Sequence, residues 1–328
     1  MKDYIGLCVA YSADENYGKY LGISMLSLFV SNKNIEEITV FVLDCGISQV
    51  TKDKLITIAN EYSRNINFVN MDSAIGGLNL QIGVRKISIA SYARLFLSSV
   101  IPEKYNKIIY LDCDTIVRAS LADIWKINLD NYLVAGVQDT VDNFFLKKIG
   151  MKEDEYYINA GVLLINLSLW RRIHIEDKFM DFIDNFKGNV PHHDQGVINA
   201  ICRNKKYILS PRYNATSNIY SFSAKTIRRM YFLDSFYSQE ELDDAKKNPI
   251  ILHFTTGLVG RPWELKCYHP MKEEYLKVAK ASPWKEDELL PDSRKLSVKI
   301  FSALYRHAPL FISETVYRII SKLAHIRE

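Results

Sequence analysis

Runs rich in Val, Ile and aromatic residues alternate with helix-patterned stretches along most of the chain, and this alternation limits the fold more than any other feature. Tyr4–Tyr11 reads as a strand and Tyr17–Val30 as a helix; Ile38–Leu43 and Gln49–Tyr62 repeat the pair. Ile66–Val69 is a third strand, Ser88–Val100 a helix, and Lys107–Leu111 a fourth strand. Tyr132–Val137 and Val162–Asn166 complete the series, with helical stretches continuing to Asn204. Such a β-α-β rhythm predicts an α/β fold, helices layered around a mostly parallel sheet. Ligands of such sheets bind beyond the carboxyl ends of the strands, so the residues that follow each strand are the ones to read.

Several function classes are excluded. No two glycines are separated by a single residue, so the G-x-G-x-x-G dinucleotide fingerprint is absent, and no G-x-x-x-x-G-K-[ST], G-x-S-x-G or H-E-x-x-H occurs. With 48% apolar and 24% charged residues, neither disorder nor a fibrous state is the main state. The five cysteines (Cys8, Cys45, Cys113, Cys202, Cys267) are odd in number and contain no C-x-x-C pair, which suits neither a disulfide framework nor a zinc knuckle. The N-terminal apolar stretch is cut short by Asp14 and Glu15, and no run of ~18 apolar residues occurs. A reduced, cytoplasmic protein is expected.

Charge is unevenly spread. Ser293–Glu328 carries seven Lys and Arg against Glu314 and Glu328, while the whole chain has a net charge of +4. The body is therefore close to neutral and the tail basic. Within the tail, Ile312, Val316, Ile319, Ile320 and Leu323 recur at helical spacing, with Glu314, Arg318, Lys322 and His325 on the opposite side. Residues 286–328 are thus expected to form a basic amphipathic helical extension that lies on an anionic membrane surface through residues 293–328, or else an ordinary terminal helix with a solvated basic face. Nucleic acid is not expected as a partner, because a near-neutral body offers no long basic track.

The fourth strand runs straight into Asp112-Cys113-Asp114. Two carboxylates one residue apart repel each other unless a cation lies between them. A hard divalent ion there would also take up diphosphate oxygens, as Mg²⁺ and Mn²⁺ do with nucleotide substrates; the plainer reading is a solvated turn. The first strand ends near Asp14, Asn16 and Tyr17. These suit the edge and the face of a pyrimidine base, and Asp14 or Asn16 equally suits a helix N-cap.

Six segments in order resemble the family 8 glycosyltransferases, which include bacterial lipopolysaccharide galactosyl- and glucosyltransferases and glycogenin. They are Ala13-Asp14-x-Asn16-Tyr17, Ser91–Leu95, Tyr110–Asp114, Asn159–Leu167, His193-Asp194-Gln195 and His253-Phe254-Thr255. The resemblance implies a GT-A fold over residues 1–285, Rossmann-like with a mixed, mostly parallel sheet flanked by helices, followed by the small helical C-terminal extension. It implies a retaining transferase that moves galactose or glucose from UDP-galactose or UDP-glucose to a glycan or glycolipid acceptor with Mn²⁺ (or Mg²⁺) as cofactor, working at the inner face of the plasma membrane. Asp112, Asp114 and His253 match the metal ligands, and Asp14, Asn16 and Tyr17 the uridine contacts. Arg94, Asp139, Asn159, Asp194 and Gln195 match positions around the donor sugar, where small Ala160 and Gly161 allow close backbone approach; Ala13 and Cys113 belong to the donor motifs. Read alone, Arg94 would be a surface ion pair, Asn159 a turn former and His253 a structural residue.

One segment departs from the family pattern. Where relatives have His, a Gly three residues on and Lys-Pro-Trp six residues on, this chain has His253, Gly257, Gly260 and Arg261-Pro262-Trp263, two residues longer and with Arg for Lys. Arg261 is the expected diphosphate clamp, since its fork binds phosphate oxygens bidentately, and either Gly257 or Gly260 fills the phosphate-contacting position. Retention suggests a carboxylate nucleophile, yet the matching position holds Gln195. That favours same-face attack by the acceptor, with Asp139 or Asp194 as a transient nucleophile in the competing scheme. The alternative activity is a metal-dependent UDP-sugar hydrolase or a non-catalytic sugar-nucleotide binder. Tyr213, Tyr220, Phe222, Tyr231 and Phe232 either stack on acceptor sugars or pack in the core.

Overall fold

The computed structural model describes residues 6–76, 89–255 and 257–327. Tyr4 and Ile5 of the first expected strand, Ser88, and the Lys322, Leu323, His325 and Arg327 side chains of the tail lie outside the described residues. The strands are β1 (Leu7–Ala13), β2 (Ile38–Asp44), β3 (Asn65–Asn70), β4 (Lys107–Leu111), β5 (Thr115–Val117), β6 (Val134–Gln138), β7 (Ile158–Asn166), β8 (Lys206–Ile208), β9 (Ala215–Thr216) and β10 (Ile251–His253). Seven form one sheet in the order β3-β2-β1-β4-β7-β6-β8, and β5-β10-β9 form a second.

The apolar runs of β1 and β2 are buried along their whole length, as expected of parallel strands covered on both faces. Side chains of β1 alternate between two apolar layers: Leu7, Val9, Tyr11 and Ala13 join one, Cys8 and Ala10 the other. Helices α1 (Glu15–Ser31) and α2 (Gln49–Glu61) begin on Asp14 and Ser48, whose side chains accept backbone N–H groups of the first turn. The helix expected over 88–100 is instead a 3₁₀ segment, Ile89–Phe96, followed by a short α-helical turn, Leu97–Val100. Two of its carbonyls are engaged by side chains, Ala90 by Ser12 at 2.7 Å and Ser91 by Arg94 at 3.0 Å, and this competition suits the tighter winding.

Strand direction places the site. β1 lies parallel to both β2 and β4, so the chain order reverses direction between β1 and β4 and their carboxyl ends form a switch-point crevice. β7 runs antiparallel to β4 and β6, which brings its amino end, Ile158–Gly161, to the carboxyl end of β4. β5 follows directly after Asp114 and pairs antiparallel with β10, His253 opposite Thr115.

The C-terminal segment packs on this body. Trp284 lies against α1, where a Cβ at Gly22 would come within 2.3 Å of its ring. Helices Leu296–His307 and Leu310–Arg327 follow. Tyr305 Oη donates to the Ser221 carbonyl at 2.6 Å, Glu314 pairs with Arg229 at 3.1 Å, and the Arg318 guanidinium lies 5.4 Å from the Phe232 ring centre. The side carrying Glu314 and Arg318 therefore turns to the body, while Leu296 (72% exposed), Phe311 (67%), Ile319 and Ile320 remain outside. Tyr220, Phe222 and Tyr231 pack against His269, Tyr305 and Tyr317 respectively, so these aromatics serve packing.

Candidate active site

Ala13, Asp14, Asn16, Tyr17, Arg94, Asp112, Cys113, Asp114 and Arg261 line one cleft of about 590 Å³ at the carboxyl ends of β1 and β4. Asp14 borders it while also capping α1, its carboxylate accepting the Tyr17 amide at 3.2 Å, so the local capping reading holds. Cys113 borders the cleft with its thiol donating to the Ser12 carbonyl at 3.2 Å. A larger hollow of about 730 Å³, lined among others by Lys107, Trp125, Asn166 and Arg172, lies at the opposite end of β4. It faces the amino end of the parallel strand, where α/β sheets do not bind their ligands.

Asp112, Asp114 and His253 bring one ligand atom each to within 4.8 Å of one another. His253 Nε2 lies 3.1 Å from Asp114 Oδ1 and 3.8 Å from Asp112 Oδ2. The other ring nitrogen, Nδ1, lies 2.9 Å from Asn214 Oδ1. Asn214 donates its own amide to Asn159 Oδ1 at 2.8 Å, so its oxygen is left to accept from His253 Nδ1–H, and Nε2 points at the carboxylates. Burial disfavours charge on the His253 ring, but Asp114 and Asp112 outweigh it and raise its pKa. Burial likewise opposes ionisation of Asp114, and His253 and Arg261 reverse that, holding its carboxyl at about 2.

The residues present fit a divalent ion. The donor set of two carboxylates and one imidazole is hard and mostly oxygen, and Gly161 leaves the space between them clear. A Cβ at Gly161 would fall 2.2 Å from His253 Cε1 and 2.6 Å from Asp112 Oδ2. That backbone cannot retreat easily, because the Gly161 carbonyl accepts from Asp112 N at 2.7 Å and its N–H donates to Asn159 Oδ1 at 2.9 Å.

Arg94 is not a surface residue: it is 5% exposed. It pairs with Asp112 at 2.9 Å and Asp194 at 3.0 Å, donates to the carbonyl of Ala160 at 2.5 Å, and lies 4.3 Å from the Tyr110 ring centre. Burial works against its charge, and the two aspartates more than restore it, raising its pKa. For Asp194, burial prevails over Arg94 and its pKa is raised.

A polar chain continues from the Asp112–Asp114–His253 cluster. Asn159 Nδ2 and Gln195 Nε2 each donate to Asp139 Oδ2 at 3.0 Å, and Gln195 Oε1 accepts from Ala160 N at 2.9 Å. Asn159 is thus a network residue rather than a simple turn former. Asp194 and Gln195 lie in the first turn of the helix His193–Ile201, whose cap His192 (φ 57°) and first residue His193 (φ 56°) both have left-handed backbone. Two successive non-glycine residues in that region store strain, and Gly196 fits because a Cβ there would meet the Pro191 carbonyl oxygen at 2.0 Å.

Arg261 reaches the cleft from the loop after β10, its Nη1 3.2 Å from Asp114 Oδ2 and its guanidinium 5.0 Å from the Trp263 ring centre. Trp263 in turn packs on Tyr20 at 4.3 Å. Gly260 has φ 76°, whereas a Cβ at Gly257 would make only ordinary contacts, with Asn218 and Ser217 at 3.7 Å. Sequence reading missed Asn214, which is fully buried between His253 and Asn159. No motif marks it; it reaches the site because β9 pairs with β10.

The sheet order, the switch-point cleft and the acidic pair after β4 place this fold in the GT-A class of glycosyltransferases. The family model for glycosyl transferase family 8 matches residues 8–267, and the chain belongs to that family. It is 32% identical to a putative glycosyltransferase of Haemophilus influenzae over 80% of this chain and 74% of that protein. It is 22% identical to the lipopolysaccharide 1,2-glucosyltransferase of Escherichia coli K12 over 92% of this chain and 85% of that protein. Among solved structures, the galactosyltransferase LgtC in complex with donor and acceptor sugar analogs superimposes with a TM-score of 0.70 at 28% identity, covering 84% of this chain and 96% of that one.

Proposed function

We propose that the protein is a retaining hexosyltransferase that moves galactose or glucose from a UDP-sugar to a glycan or glycolipid acceptor with Mn²⁺ or Mg²⁺ as cofactor. The observation that carries this reading is the Asp112–Asp114–His253 cluster at the cleft that also holds Asp14, Asn16, Tyr17 and Arg261. Asp112, Asp114 and His253 would hold the ion, which when bound supplies Lewis-acid stabilisation of a departing diphosphate. Arg261 sits beside Asp114, where its planar fork suits the phosphate oxygens of the leaving group. Arg94 fixes Asp112 and Asp194 from beneath, so its work is to orient those carboxylates rather than to offer all its donors to the sugar.

Gln195 is held at both ends of its carboxamide and is a poor nucleophile. Asp139 Oδ2 already accepts two N–H groups, and Asp194 is paired with Arg94. These ties favour attack by the acceptor on the face from which UDP leaves, with Gln195 steadying the cationic sugar. The exposed Leu296, Ile300, Phe311, Ile319 and Ile320 side chains, on a segment rich in Lys and Arg, support attachment to an anionic membrane surface. Among the described residues no helix is long and apolar enough to cross a membrane.

The test is UDP release from UDP-galactose and UDP-glucose with Mn²⁺, with and without an acceptor glycan, followed by NMR of the product anomer. Asp112→Asn should abolish metal-dependent turnover, and undiminished turnover by that variant under chelator would refute the metal assignment. Release of free hexose regardless of acceptor would identify a hydrolase instead.

A further inference from the structure

The loop that carries Arg261 has no strand or helix of its own from Gly257 to Cys267, yet it is held from two sides. On the cleft side Arg261 pairs with Asp114 and Trp263 packs on Tyr20. On the far side Trp263 packs on Tyr275 and the Val259 carbonyl accepts from Tyr268 N, and the segment after residue 289 adds a further set of contacts. Leu290 exchanges backbone hydrogen bonds with Trp263 (2.8 Å) and Leu265 (2.7 Å). The Leu258 carbonyl accepts two donors from this segment, Arg294 Nη1 and Ser302 Oγ, the latter at 2.7 Å. Arg294 Nη2 also lies 3.4 Å from the Lys266 carbonyl, so one guanidinium reaches both ends of the loop. Gly260, one residue before Arg261, has φ 76°, and a Cβ there would lie 3.5 Å from Arg294 Cζ. Arg294 is itself fixed: it is buried and bound twice by Asp292, at 2.9 Å and 3.0 Å, and Lys299 donates to the Asp292 carbonyl at 2.9 Å.

We infer that Arg294, with Ser302, is a positioning residue for the diphosphate loop: the C-terminal segment holds Arg261 ready to meet the donor's diphosphate. The inference rests on the reading of Arg261 as the diphosphate clamp. A loop without its own ladder loses conformational freedom when it closes on a ligand, and a brace that fixes it beforehand removes that cost from binding. Arginine suits the role because only its fork satisfies two carbonyls and a carboxylate at once; lysine is a point donor. The chain therefore couples the outward-facing terminal helices to the donor site through the Leu258 carbonyl.

The test uses the full chain with two probes in calorimetry: UDP with Mn²⁺, which needs the loop, and uridine, which lacks the diphosphate. Arg261→Ala and Arg294→Ala should each weaken UDP binding about tenfold, leave uridine binding unchanged, and together weaken UDP no more than Arg261→Ala alone. Arg294→Lys should fall between the wild type and Arg294→Ala. Should Arg294→Ala not fold, Ser302→Ala removes one donor to the same carbonyl and should weaken UDP a few-fold, again sparing uridine. Equal losses for UDP and uridine, no loss for UDP, or full additivity with Arg261→Ala would overturn the inference while leaving the clamp intact. An unchanged UDP affinity in Arg261→Ala would instead overturn the clamp itself, and the inference with it.

Discussion

Replacing Gly161 by alanine tests the cation site without touching a ligand. The added methyl would sit 2.2 Å from His253 Cε1 and 2.6 Å from Asp112 Oδ2, where ordinary contact starts at 3.4 Å. The backbone at 161 is tied to Asp112 N and to Asn159, so the side chains must yield. His253 is pinned by Asn214, and its shift of about 1 Å carries through that contact to the polar chain ending at Gln195. A displacement of that size costs on the order of 100-fold in turnover, and disturbing the ligands' support costs ~10–100-fold in metal affinity. Overpacking the site also destabilises the fold by about 1–3 kcal/mol. Titration of Mn²⁺ followed by electron paramagnetic resonance reads the affinity directly, and thermal unfolding reads the stability. Wild-type Mn²⁺ affinity in Gly161→Ala would refute the proposal that Asp112 and His253 hold the ion.

Four further outcomes are expected. Because Asp114 and Asp112 outweigh burial and raise the His253 pKa above its ordinary value of 6.5, a bound Mn²⁺ would have to displace a proton from the ring at pH values below that raised pKa; affinity should rise with pH through it, and calorimetry in buffers of different ionisation enthalpy should show proton release. In the metal-free protein the same shift stabilises the fold below pH 6.5 and is lost as pH rises through the folded-state pKa, so apo-protein Tm should decline over that window; a flat profile would contradict the pairing. Gln195→Ala removes one of the two donors on Asp139 Oδ2 and the acceptor of the Ala160 amide and should lower kcat by about 10²–10³-fold with Mn²⁺ affinity unchanged, whereas full activity would remove its role. Gly22→Ala places a Cβ 2.3 Å from the Trp284 ring and should destabilise by about 1–3 kcal/mol; an unaltered Tm would show that Trp284 does not pack there.

The outline of the site was legible because its parts follow strands. Asp112 and Asp114 close the apolar run of β4, and Asp14 closes β1; both runs are buried on two faces and read as strands without ambiguity. Less was legible where elements are short. β5, β8 and β9 have three, three and two residues, too few to show an alternation, and β5 and β9 are the strands that bring His253 and Asn214 to the aspartates. Arg94 read alone resembles a surface cation because charge carries no label of burial, and its two aspartate partners come from different elements. The tail's helical period was visible, but which side faces the body was not: Glu314 is buried because Arg229, far away in sequence, awaits it.

Local sequence determined the α/β alternation, the cap on α1 and the paired carboxylates, since hydrophobic period, capping and strand-end chemistry act over a few residues. The family resemblance added the roles expected of those residues. The antiparallel course of β7, the return of His253 on β10 and the brace of Arg294 on the Arg261 loop were decided by tertiary structure alone. Each joins groups far apart in the chain, and such contacts form only when burial of the whole core offsets the entropy of bringing the segments together.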